Sequence, residues 1–212
     1  MYENTFWSRR CFLTAGLGGL FPALVWPGSA FGSEGPSNKH PPAAPVPVGA
    51  ADPGVHPRSA WRALAPGPEG TSQIPVGLVI HHTAGPCVGS VDAPAQLRSI
   101  QAYHQRRKGW IDIAYHLLVD ADGEIWAGRD PMVAGDSATT YDTRGWILIC
   151  ALGHFDQVPL SESQHAGLVR AVRFATTTWA LDPLRRKAHG ELAGTRCPGV
   201  GIRAQMEHFR GV

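Results

Sequence analysis

The chain has 212 residues, 43% of them hydrophobic, which suits one medium-sized domain with a real core and would crowd two. Nineteen Lys and Arg against 17 Asp and Glu leave a net charge of +2, and no run of like charge marks a track for nucleic acid or another polyanion. Most of the 18 prolines fall in the first 75 residues, so they describe a tail and spacer rather than a proline-rich fold.

The first thirty or so residues read as an address. Ser8-Arg9-Arg10-Cys11-Phe12-Leu13 leads into an apolar run to Trp26, and Gly28-Ser29-Ala30 supplies small residues of the kind signal peptidases cut after. This resembles a twin-arginine signal peptide, which implies the export machinery of that name as a partner and a periplasmic, cell-envelope or secreted destination. The run is interrupted by Gly16, Gly18, Gly19 and Pro22 and falls short of the ~20 apolar residues a membrane span needs, so no lasting anchor is expected after cleavage. Cys11 stands at the start of the run and would leave with the signal. Residues 32–55 hold six prolines and no aromatic residue; they bury too little apolar surface to offset the entropy of ordering and read as a flexible spacer. The expected organisation is therefore a signal at 1–31, a linker at 32–55 and one domain at 56–212.

Within that domain, Val76 to Thr83 is a short apolar run rich in branched residues, consistent with a buried strand. From Asp92, Ala93, Leu97, Ile100 and His104 recur at the period of one helix face until Gly109 ends the segment. Ile113, Tyr115, Leu117 and Val119 alternate as a strand would, and Asp120-Ala121-Asp122-Gly123 turns the chain so that Glu124 to Gly128 can return as the second strand of a hairpin. Trp146 to Leu152 is almost wholly apolar and reads as a central strand. Ser161 and Gln164 form a capping-box pattern ahead of Leu168, Val172, Ala175 and Trp179, which predicts a second helix. Strands and helices intermix, so the class is α/β or α+β, a single mixed sheet flanked by helices.

Three residues suggest metal chemistry. His81 ends the first strand, while His189 and Cys197 lie eight residues apart near the other end of the chain. Imidazole and thiolate are favoured zinc ligands, and three protein ligands with a fourth position left for water describe a catalytic site rather than a structural one. Spacing alone does not select this trio, because the chain has ten histidines and the interval is not of the finger type.

The surrounding words are more specific. Val79-Ile80-His81-His82-Thr83-Ala84, Gly109-Trp110-Ile111-Asp112-Ile113-Ala114-Tyr115-His116-Leu117, Asp122-Gly123, Ala127-Gly128-Arg129-Asp130, and His189 with Thr195-Arg196-Cys197-Pro198-Gly199 occur in order. Together they resemble the N-acetylmuramoyl-L-alanine amidase family that includes peptidoglycan recognition proteins and the phage T7 lysozyme type of amidase. Pro57-Arg58-Ser59-Ala60-Trp61 extends the likeness upstream, so it covers roughly residues 55 to 200. The resemblance implies that family's fold and a Zn2+ ion held by His81, His189 and Cys197. It implies hydrolysis of the amide between N-acetylmuramic acid and L-alanine, with peptidoglycan or a muropeptide as substrate; a monomer is the expectation, which the sequence itself does not address. It also gives catalytic roles to Thr195, as a donor to the developing oxyanion, and to Tyr115, which would orient water or steady the same charge. Strand alternation agrees in part, since His81 and His82 must face opposite ways. If the chain from Thr195 to Cys197 is extended, those two side chains share a face.

The bland readings stand beside these. Tyr115 could be core, and Thr195 a loop residue bonding its own backbone. His82, His104 and His116 read as satisfied core histidines, Trp110 as buried or as a stacking surface, and Arg129 as a brace through a salt bridge or a solvated loop residue. Glu191 and Asp112 are candidates for a general acid by proximity in sequence alone. Cys87 and Cys150 could pair in an oxidising compartment. Against the family pattern, Asp136 replaces a histidine expected on the groove wall and Gly190 replaces an arginine that commonly follows the ligand histidine. Two rival functions remain: a peptidoglycan-binding module that does not cut, and a cysteine hydrolase with Cys197 as nucleophile and His189 as base.

Overall fold

The computed structural model describes residues 54–212; the expected signal segment and nearly all of the expected spacer lie outside the described residues. The elements in chain order are β1 (Val55–His56), β2 (Gly77–His82), α1 (Ala93–Arg107), β3 (Leu117–Val119), β4 (Ile125–Ala127), β5 (Trp146–Ala151), α2 (Glu162–Thr178), β6 (Arg186–Ala188), α3 (Val200–Arg203) and α4 (Met206–Gly211). Six strands form one sheet in the order β1-β4-β3-β5-β2-β6. The β3–β4 hairpin is antiparallel and every other pairing is parallel. Val55, placed at the end of the spacer by composition, already pairs with Ile125.

β2 and β5 sit in the middle and are buried along their whole lengths, which is why their sequences are nearly continuous apolar runs rather than alternating ones. On one face, Leu78, Ile80, Ile147 and Ile149 pack against Leu168, Ala171, Val172 and Ala175 of α2, with Phe155, Ile202 and Phe209 closing that side. On the other, Leu118 and Cys150 meet Leu97 of α1 and the fully buried Trp61, whose indole N–H donates to the Ala127 carbonyl at 2.8 Å. Val79, Trp146 and Leu148 form a third cluster with Tyr115 and Tyr141 beside it. Among the described residues no helix is long and apolar enough to cross a membrane.

Two elements depart from their sequence patterns for identifiable reasons. The run from Ile113 to Val119 is strand only from Leu117; before it the chain bends. The bend brings Gly128 so close that a Cβ there would lie 2.1 Å from the Tyr115 carbonyl. In α2, Ser161 caps as expected, accepting the Gln164 N–H at 3.2 Å, but the Gln164 side chain does not return to the cap. It is buried, and its amide donates to the carbonyls of Val119 and Leu152 at 3.0 Å each. The capping box is thus half formed, because two inward-facing carbonyls compete for the amide. On α1 the fully buried residues are Ala93, Leu97, Gln101 and His104, while Ile100 is partly buried and packs against the same cluster, so Gln101 joins the expected inward face. Its amide donates to the Asp112 carboxylate at 2.6 Å and exchanges bonds with the backbone of Leu64.

Candidate metal centre

The parallel register assembles the site. Ile80 of β2 lies opposite Ala188 of β6, so the residues that follow, His81 and His189, become neighbours at the C-terminal edge of the sheet. Their ring centroids are 4.4 Å apart. Both are buried, at 3% and 6% exposure. His81 shares the face of Val79, and His82 turns to the opposite face, where its Nδ1 accepts the Phe155 N–H at 3.3 Å. Alternation along β2 therefore separates the two histidines as expected.

Cys197 arrives on the loop that leaves β6. The Gly190 N–H donates to the Cys197 carbonyl at 2.8 Å, and a Cβ on Gly190 would lie 2.6 Å from the Thr195 carbonyl. That close approach leaves no room for the arginine that the resemblance expects at this position. The Cys197 Sγ accepts the His82 N–H at 3.3 Å and lies 3.8 Å from the Nδ1 of His81. One ligand atom each from His81, His189 and Cys197 lie within 4.8 Å of one another, and the group contains no carboxylate.

A zinc ion fits this donor set. The Nδ1 of His189 is buried and has no hydrogen-bond partner, a costly state for a lone pair that a cation would relieve. Burial and the adjacent His189 hold His81 well below the ordinary imidazole range, and burial takes His189 down to about 4, so both rings are neutral and able to ligate. Burial pushes the Cys197 thiol up to about 12, so without a cation it stays protonated, which disfavours a resting nucleophile.

The other singled-out residues fall into place around this trio. Tyr115 packs its ring 5.5 Å from that of His81, and burial raises its phenol well above its ordinary range, so it remains a neutral donor. Thr195 lies in a bend rather than an extended segment, and its hydroxyl accepts the Cys197 N–H at 3.2 Å. The local-backbone reading of Thr195 is thus realised, and its hydroxyl proton is still available to donate elsewhere. Neither carboxylate candidate for the acid faces the centre: Glu191 accepts the Ala188 N–H at 2.6 Å and pairs with Arg210 at 2.5 Å. Asp112 is buried against Arg58 at 2.8 Å and Gln101. No disulfide joins Cys87 to Cys150, whose buried thiol donates to the Ala151 carbonyl. His104 and His116 are satisfied core histidines, accepting the N–H groups of Ala114 and Leu148.

Sequence reading missed the segment from Ser137 to Tyr141. The Thr139 hydroxyl lies 2.7 Å from the Nε2 of His189, and the Tyr141 hydroxyl 3.2 Å from the Nε2 of His81. These residues occupy irregular chain with no period to read. The residues that flank this segment, Asp136 on one side and Asp142 to Arg144 on the other, help to line a polar cleft of about 320 Å³ together with Glu69, Trp110 and Arg129. Arg129 is a buried brace: its guanidinium donates to the carbonyls of Ile113, Ala134 and Asp112 and pairs with Asp136 at 2.5 Å. Trp110 is half-buried and lines the cleft, between the buried and the stacking readings.

The N-acetylmuramoyl-L-alanine amidase family model matches residues 71–200, a span that contains all three members of the cluster. The chain belongs to this family. Among curated relatives of this amidase-family chain, mouse peptidoglycan recognition protein 1 is 32% identical over 162 residues, covering 74% of this chain and 89% of that protein. Human N-acetylmuramoyl-L-alanine amidase is 33% identical over 162 residues, covering 71% of this chain and 27% of that protein. Among solved structures, human PGRP-IBETAC in complex with glycosamyl muramyl pentapeptide aligns with a TM-score of 0.63 at 28% identity, covering 71% of this chain and 92% of that one. The fold expected from the resemblance is the fold observed.

Proposed function

We propose that this chain is an exported, zinc-dependent N-acetylmuramoyl-L-alanine amidase that hydrolyses the amide between the lactyl carboxyl of N-acetylmuramic acid and the L-alanine of the stem peptide. The observation that carries the reading is the convergence of His81, His189 and Cys197, with ligand atoms within 4.8 Å of one another and an orphaned Nδ1 on His189. A relative named for this amidase and a similar structure solved with a muramyl pentapeptide support the substrate class. In this reading residues 1–31 are a twin-arginine signal, 32 to about 54 a spacer, and the remainder the enzyme domain acting outside the cytoplasm.

His81, His189 and Cys197 would hold the ion. Bound zinc supplies Lewis acidity, polarising an amide carbonyl and lowering the pKa of water to about 7. The chain's own groups do the rest. Tyr115, kept neutral by burial, donates a hydrogen bond toward the attacking water or the developing negative charge, and Thr195 donates its remaining hydroxyl proton to that charge. The consumed water provides the oxygen of the new lactyl carboxylate and a proton for the departing alanine amine; the carboxylates of Glu191 and Asp112 are occupied elsewhere. The cleft beside Trp110, whose lining residues Asp142 and Thr143 adjoin Tyr141, offers the nearby polar surface for the rest of the ligand.

A non-cutting recognition module of the same fold is the second reading, favoured by relatives that carry the name of recognition proteins. The thiolate ligand in place favours the enzyme. Incubating the protein with purified peptidoglycan and identifying products by mass decides between them: free stem peptides beginning with alanine support the amidase, and binding with intact muropeptides supports the module.

A further inference from the structure

Both imidazoles of the candidate metal centre turn the same atom outward. The Nε2 of His189 faces the Thr139 hydroxyl at 2.7 Å, with Ser137 Oγ at 3.4 Å, and the Nε2 of His81 faces the Tyr141 hydroxyl at 3.2 Å. The Nδ1 atoms face inward: that of His81 lies 3.8 Å from the Cys197 sulfur, and that of His189 is buried without a partner. We propose that Thr139 and Tyr141 are positioning residues that accept the Nε2–H of His189 and His81, locking both rings in the tautomer that presents Nδ1 to the metal. This rests on the zinc reading above.

A neutral imidazole has one N–H and one lone pair, and the hydrogen bond made by one nitrogen decides what the other can do. If a hydroxyl donated to Nε2, the ring proton would sit on Nδ1 and point into the cluster, excluding a cation. The local bonding disfavours that at His189. The Thr139 Oγ1 lies 2.8 Å from the Ser137 Oγ, which can take the Thr139 hydroxyl proton and leave a Thr139 lone pair for the ring. The Thr139 N–H also donates to the Ser137 Oγ, at 3.2 Å, which fixes the serine in place. Outer hydroxyls can orient rings only if they are themselves held. Asp136 pairs with the buried Arg129, and the Thr143 hydroxyl donates to the Gly135 carbonyl at 2.8 Å, so the segment is tied down on both sides of Thr139 and Tyr141.

The test is zinc affinity of the full chain, measured by competition with a chromophoric chelator, for wild type, Thr139→Val, Tyr141→Phe and Thr139→Ser. Loss of an outer-shell partner is expected to weaken binding roughly 10- to 100-fold in the first two variants, with Thr139→Ser restoring most of it. Melting of the chelated, metal-free proteins should not separate the variants from wild type. Long-range 1H–15N spectra of zinc-loaded wild type provide a second readout that needs no variant, and should show His81 and His189 protonated at Nε2 and metal-bound at Nδ1. Wild-type affinity in both Thr139→Val and Tyr141→Phe, or ligation through Nε2, overturns the proposal and leaves the amidase reading intact. Zinc bound with the stated tautomers by a protein that leaves peptidoglycan whole would sink the amidase reading alone.

Discussion

Tyr115 tests the proposed division of labour at the scale of single residues. Its phenol is the one neutral donor beside His81 that the resemblance also singles out, and removing such a donor costs about 3 kcal/mol of transition-state stabilisation, or roughly a hundredfold in rate. Tyr115→Phe should therefore lower kcat on a muropeptide by about that factor while zinc content stays at the wild-type level; an unchanged kcat would return Tyr115 to the core. His116 makes a second prediction. Its Nε2 must donate to the Val133 carbonyl at 2.9 Å while its Nδ1 accepts the Leu148 N–H at 2.8 Å, so the neutral ring is satisfied and a second proton would face an N–H. Burial takes its pKa from 6.5 to about 4. Between those values the unfolded chain binds a proton that the folded chain refuses, so stability is fully present above pH 6.5 and falls as pH drops toward 4. The lowered pKa corresponds to about 3 kcal/mol. Urea unfolding at stepped pH should show this loss, and His116→Asn should make it smaller, with the remainder coming from the other buried histidines.

At the scale of elements, what was legible depended on periodicity. The central strands β2 and β5 and both long helices were visible as apolar runs or as 3.6-residue stripes. β6 was not, because three residues, Arg186-Lys187-Ala188, carry no pattern, although their register with β2 is what sets His189 beside His81. Likewise Ser137, Thr139 and Tyr141 act from a bend where no face repeats, so chemistry without geometry could not find them. Gln164 shows the opposite failure: the local cap pattern was read correctly at Ser161, but tertiary carbonyls claimed the glutamine. A consequence separates the two residues. Ser161→Ala removes one cap bond and should cost about 1 kcal/mol. Gln164→Leu strips an amide partner from two inward carbonyls and should cost about 1–3 kcal/mol more than an exposed helix substitution. Thermal melts that ranked Ser161→Ala as the worse variant would contradict the buried role of Gln164.

Across the whole molecule, the candidate metal centre joins the two ends of the family domain. His81 comes from the central strand β2, and His189 and Cys197 from the turn and loop that follow β6, so a bound ion would couple the assembly of the sheet to the competence of the site. The ordered motifs made the family and the trio readable from sequence. The orientation of each ring, the choice of Asp136 as the partner of Arg129, and the engagement of Glu191 away from the centre depended on long-range packing and had no sequence signature. The most direct test of the central claim is the rate of alanine-terminated peptide release from a muropeptide, measured as zinc is added back to metal-free protein. The account predicts no release without metal and a linear rise to a plateau at one equivalent of zinc per chain. Full release by protein from which metal has been removed, and shown to be absent, would contradict it.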